Sequence, residues 1–265
     1  MPETKTPAAD KELSYVGNDL PFYNGIPIRF SGMQWWFLVA MTVLGFLVFT
    51  SPLLPTIFGH RSFFTSSAGQ FIPAILYFAI PLAGLAMMAG NHWTAIFRPV
   101  TRRDVFLMFA FALFNLAVTL PLGYLVSRTL GAQPNSAIAG LRDLTAFGRT
   151  LFVLKTAPSL FGEEVMTILP FLALMHLFFS KLRCQRKTSL VWAWLVSAIL
   201  FGLAHLPTYH WDLVQCLVVI GSARLVLSLA YIMTKNLWVS TGAHIINDWT
   251  FFGLTMLGAS LSRGS

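Results

Sequence analysis

The sequence predicts an all-α integral membrane protein of about seven transmembrane helices, within a range of six to eight. Three observations carry this. Of 265 residues, 56% are hydrophobic and only 11% charged, with mean hydropathy +0.68, whereas a soluble domain is about one quarter charged. Apolar runs close to the ~20 residues needed to span the hydrocarbon recur along the chain. Those runs lack the period-two alternation of barrel strands.

The runs fall near 33–54, 69–90, 104–127, 153–179, 189–208, 211–233 and 237–259. Residues 1–32 are polar and rich in Pro and Gly, without the positive, apolar and small-residue order of a signal peptide. They read as a cytoplasmic tail with an interfacial piece near Pro21 to Phe30. Residues 33–152 read as N-terminal transmembrane helices and a connecting segment, and 153–260 as the core that carries the chemistry. Residues 131–150 are the least apolar connection and fit an amphipathic surface helix. Trp35, Trp36, Trp192 and Trp194 fit interfacial belts.

The net charge of +8 reflects clusters between runs, at Arg98, Arg102 and Arg103 and at Lys181, Arg183, Arg186 and Lys187. With seven spans both clusters lie on one side, which the positive-inside rule makes cytoplasmic, together with the N-terminus. Arg128, Arg142 and Arg149 fall on the other side. Such clusters set topology and touch anionic headgroups, so the lipid bilayer is an expected partner and nucleic acid is not. Cys184 and Cys216 form no disulfide framework and no zinc spacing.

Glu163, Glu164 and Asp248 lie well inside predicted spans. A charge at a span centre costs about 2.5–3.5 kcal/mol on insertion scales, so such residues normally face the bundle interior and mark a site. His205 ends the fifth run, with Phe201 four residues before it on the same face. His244 opens HIINDW in the seventh, with Asp248 four residues on and Asn247 close by. The set is chemically coherent. A carboxylate can activate water for attack on an amide, and a histidine or amide can stabilise an oxyanion. Carboxylates and histidines also serve as zinc ligands, although the H-E-x-x-H helix is absent. A binding protein and a proton- or ion-coupled transporter are the competing readings; no internal repeat favours the transporter.

Three motifs in order, Glu163-Glu164-Val165-Met166-Thr167-Ile168, Phe201-Gly202-Leu203-Ala204-His205 and His244-Ile245-Ile246-Asn247-Asp248, resemble the CPBP (Abi, type II CAAX protease) family of intramembrane proteases. The likeness covers about 155–255, the last four spans. It implies an endopeptidase of the CAAX protease or bacteriocin-processing type. Its substrate would be a membrane-associated peptide or protein, most naturally in a bacterial cell membrane. By family role Glu163 and Glu164 supply the base and its partner, His205 holds the water, and His244 and Asp248 stabilise the oxyanion. Phe201, Asn247 and Arg224 support them. The cofactor is either a divalent metal such as zinc, held by Glu163, Glu164, His205 and His244, or none. The family's arginine is replaced by Ile168. That departure keeps a non-proteolytic relative acting in immunity or regulation as the alternative, and nominates Arg224, in the sixth run, as a substitute counter-ion.

Overall fold

The computed structural model describes residues 19–136 and 144–261, with side chains to 254. Among the described residues seven long helices alternate in direction: α1 (Gly32–Thr50), α2 (Phe71–Ala89), α3 (Arg102–Thr129), α4 (Ala146–Lys181), α5 (Arg186–Ala204), α6 (Leu213–Thr234) and α7 (Leu237–Leu261). Among the described residues the first six are long and apolar enough to cross a membrane. The seventh carries His244, Asn247 and Asp248 within its length, which lowers its apolarity. No strand occurs among the described residues. The protein is an integral membrane protein.

Local chemistry starts the helices. Ser31 and Gln34 form a capping box on α1, and Thr101 and Asp104 form another on α3. Thr145 caps α4 by accepting from the Gly148 amide. The α6–α7 turn is held by Asn236, which accepts from the Arg98 amide at 3.1 Å and donates to the Arg98 carbonyl at 3.2 Å. That pair ties the α2–α3 connection to the start of α7.

The expected boundaries shift where they matter most. α4 begins at Ala146 rather than 153, and runs 36 residues, its last turn Leu177–Lys181 wound as a π turn. The stretch AFGRTLF, polar at Arg149, continues the helix instead of forming a separate surface helix. Residues 137–143, including Arg142, lie outside the described residues. Glu163 and Glu164 consequently sit at mid-length in α4. α5 ends at Ala204, so His205 is its C-cap. α7 runs antiparallel to α4, with Trp249 Nε1 donating to Thr156 Oγ1 at 2.9 Å and Phe152 packing on Phe252. This register brings His244, early in α7, level with the glutamates.

Two glycines permit the close packing around them. A Cβ on Gly162 would lie 2.4 Å from Tyr77 Cδ1, and one on Gly202 2.6 Å from the Cys216 carbonyl oxygen. Tyr77 thus enters beside Glu163, and α5 closes on the start of α6.

Residues 19–31 of the expected tail pack onto the end of the bundle; residues 1–18 lie outside the described residues. Leu20, Phe22, Tyr23 and Phe30 are buried against Trp35 and the second half of α4. The Tyr23 carbonyl accepts from Ser180 Oγ at 3.1 Å, with His176 Nδ1 at 3.0 Å. Arg186 pairs with Asp19. Burial raises the Asp19 carboxyl, but the hydrogen bonds from Arg186 and Tyr23 outweigh it and hold the group below its ordinary range. Trp35 and Trp194 are not belt residues. Trp35 is buried and stacked on His176, and Trp194 Nε1 donates to the Leu225 carbonyl. Trp36 and Trp192 are exposed.

Candidate active site

Glu164 and Arg224 are both fully buried. Arg224 Nη2 lies 2.5 Å from Glu164 Oε1, and Nη1 donates to Thr167 Oγ1 at 3.3 Å. A lone charge at this depth is prohibitive, so the pair exists because each neutralises the other. Ile168 occupies the position where the family pattern has arginine and is itself fully buried in the apolar core. The cation therefore comes across the bundle from α6 instead of one turn along α4. Thr167, unremarked in the sequence, joins the network through its hydroxyl, which also donates to the Glu163 carbonyl at 2.8 Å. Its signal was a hydroxyl three residues from Glu164, among the few polar side chains of that face.

His244 Nδ1 lies 2.8 Å from Glu164 Oε1. An ionised carboxylate accepts only, so Nδ1 carries the proton and Nε2 faces the other way. Nε2 lies 3.9 Å from Glu163 Oε2 and 3.8 Å from Asp248 Oδ1. His205 is set in the same manner. Its Nδ1 is 2.9 Å from the Phe201 carbonyl oxygen, which requires the proton on Nδ1 and turns Nε2 toward Glu163, 3.9 Å from Oε2. Phe201 also receives the Arg224 guanidinium over its ring at 4.7 Å, and its ring centroid lies 4.5 Å from that of the tilted His205 ring. Asn247 Nδ2 donates to Asp248 Oδ1 at 2.9 Å. The eight sequence-nominated side chains are thus gathered from four helices into one cluster.

The cluster lines a cavity of about 1070 Å³, whose wall includes Glu163, His205, Arg224, His244, Asn247 and Asp248. Glu164 lies behind it, and Glu163 is the glutamate that faces the space. Tyr209 also lines the cavity, and Asn135 Nδ2 donates to its hydroxyl oxygen at 3.2 Å. Burial pushes the Tyr209 phenol up to about 12, with Asp248 acting in the same direction, so the group keeps its proton. Sequence alone did not single out Tyr209, which follows the fifth helix in an unremarkable turn.

A separation of 3.9 Å is too long for a direct hydrogen bond, and a small widening would let the two groups share one water. The same separation is too wide for shared metal ligation. Zinc bonds of about 2.0–2.1 Å set tetrahedral donors about 3.3 Å apart. Glu164 Oε1 is already engaged by Arg224 and His244. Among the described residues no group of three His, Cys, Asp or Glu converges as a metal site. As they stand, these donors are spread wider than a tetrahedral zinc requires.

The family model for type II CAAX prenyl endopeptidase Rce1-like proteins matches residues 149–250. Over that stretch, about two fifths of its length, the chain is similar to the Rce1-like family. The Rce1-like region begins near the start of α4, ends inside α7 and contains every residue of the cluster. α1 to α3 lie outside it. No curated protein and no solved structure matches the chain. The Rce1-like match agrees with the CPBP likeness read from the three motifs, and supports a CAAX-type intramembrane protease at the level of the family.

Proposed function

We propose that the protein is an intramembrane endopeptidase that hydrolyses a peptide bond with a water activated by Glu163. The observation that carries the reading is the convergence of Glu163 Oε2 with two histidine Nε2 atoms, each oriented by a hydrogen bond at Nδ1, at 3.9 Å each on the wall of one cavity.

In this reading the water hydrogen-bonds to Glu163 Oε2 and to the unprotonated Nε2 of His205. Glu163 takes one proton as the oxygen bonds to the scissile carbonyl carbon. The carbonyl oxygen becomes an oxyanion and needs donors. An ionised Asp248 has none to give, so it does not stabilise the oxyanion itself. That role passes to His244 Nε2, donating as the imidazolium, and to the second N–H of Asn247. Asp248 and Glu164 hold those two groups in place. Glu163 then delivers its proton to the departing nitrogen, the C–N bond breaks, and a carboxylate and an amine remain. Glu164 does no chemistry of its own: neutralised by Arg224, it keeps the His244 proton on Nδ1, much as a buried carboxylate orients the histidine of a serine-protease triad.

Ile168 was the ground for a non-proteolytic reading. The Arg224–Glu164 pair supplies a counter-ion that Ile168 cannot, which supports the proteolytic reading over that one. The test is a comparison of protein termini in cells carrying the wild type or Glu163→Gln. Termini that disappear in the variant support proteolysis. Identical termini, with the variant present at normal level in the membrane, sink it.

A further inference from the structure

The two ends of the bundle differ in charge and in packing, and the cavity belongs to one of them. At the first end lie the connections 91–103 and 181–187 with Arg29 and Lys235, which hold most of the described Lys and Arg. The same end is closed by the N-terminal segment, whose Leu20, Phe22, Tyr23 and Phe30 are each no more than 3% exposed. At the second end the described cations are Arg61, Arg128, Arg149 and, further in, Lys155. The cavity is built mainly from this second half, with Leu227 and His244 at its deep end. Its wall takes Thr50 from the end of α1, Tyr124 from the end of α3, Gln133 from the following connection, Phe152 from the start of α4, Tyr209 after α5 and Gln215 from the start of α6. Glu163, at mid-length in α4, is its floor.

From this asymmetry we infer that the cavity opens on the non-cytoplasmic side of the membrane, so that its substrate is a peptide segment already translocated or exported. The warrant is the positive-inside rule applied to short connections. The surplus of Lys and Arg stays in the cytoplasm, and that surplus sits at the closed end. The geometry supplies the second half of the argument. A peptide approaching from the closed end meets buried aromatic packing, Arg186 paired with Asp19, and the second half of α4 before it reaches Glu163. A peptide approaching from the other end meets Ala132 and Gln133, both exposed on the cavity wall. The substrate class follows only if the proteolytic reading above holds; the orientation does not depend on it.

The chain carries its own reporter. Cys184 lies in the basic connection and is partly exposed, whereas Cys216 is buried. Right-side-out membrane vesicles are treated with a membrane-impermeant maleimide, using the wild type and Ala132→Cys in a Cys184→Ser background. Ala132→Cys is expected to label in sealed vesicles to the extent it does after detergent, and Cys184 only after detergent. Labelling of Cys184 in sealed vesicles, with Ala132→Cys protected, overturns the proposal and leaves proteolysis untouched. The termini lost in Glu163→Gln are expected in exported or outward-facing segments; losses confined to cytoplasmic proteins also overturn it. Outward labelling with no termini lost overturns the proteolytic reading and the substrate class with it, while the orientation stands.

Discussion

Replacing Arg224 with methionine keeps most of the side-chain volume and removes the guanidinium that compensates Glu164. Both residues are fully buried and joined at 2.5 Å. Breaking a buried pair from one side costs about 3–5 kcal/mol, because the remaining charge has neither water nor a partner. His244 still donates to Glu164 Oε1, which puts the expected loss toward the lower end of that range. Glu164→Gln in the same background removes the uncompensated charge. The double variant is therefore expected to be more stable than Arg224→Met alone. In a double-mutant cycle the coupling is expected near the top of the ordinary range, about 2–3 kcal/mol, against about 0–1 for an exposed pair. Placing the cation where the family pattern has it, Ile168→Arg on Arg224→Met, offers Glu164 a partner one turn away. About 1–3 kcal/mol of overpacking in the core offsets part of that gain. The assay is unfolding in mixed micelles, followed by a structural probe, for the wild type and each variant. Strictly additive losses from Arg224→Met and Glu164→Gln would refute the buried-pair reasoning.

Asn247→Ala is expected to lower kcat about 10²–10³-fold with little change in KM, the cost of losing an oxyanion donor, while Asp248→Asn, which keeps shape and can donate, falls less; steady-state rates on one peptide decide it. A chelator that strips divalent metals is expected to leave the rate unchanged, since the donors stand too far apart to share an ion; loss of activity restored by zinc contradicts this. The Asp19 carboxyl is held below its ordinary value in the folded protein. Its contribution to stability is present above the unfolded value of about 3.9 and is lost as the pH falls through the lower folded value. Stability measured across that window is expected to fall with pH in the wild type, and Asp19→Asn to flatten the dependence.

The chemistry was legible where a residue was out of place for its surroundings. Glu163, Glu164 and Asp248 announce themselves because carboxylates inside apolar runs are costly, and His205 and His244 because they recur at helical spacing from Phe201 and Asp248. Arg224 was harder, since spacing along one helix says nothing about a partner on another, and only the α4–α6 packing puts the guanidinium on Glu164. The length of α4 was hidden by Arg149, whose charge broke the apolar run without breaking the helix. The N-terminal segment read as a tail because its Pro, Gly and polar residues lack any period. Its buried aromatics act through tertiary contacts that a linear pattern does not carry. Trp35 and Trp194 erred in the other direction, since an aromatic near a predicted span end looks the same whether it meets headgroups or a neighbouring helix.

The central claim is that Glu163 activates the attacking water while Glu164 only holds His244. The most direct measurement is the hydrolysis rate of a peptide, chosen from the termini that vanish in cells, by purified wild type and Glu163→Gln in lipid nanodiscs, with unfolding recorded on the same samples. A fall in kcat of about 10²–10⁴-fold with unchanged stability is predicted, the contribution of a positioned general base. Equal rates in the two proteins would contradict the account.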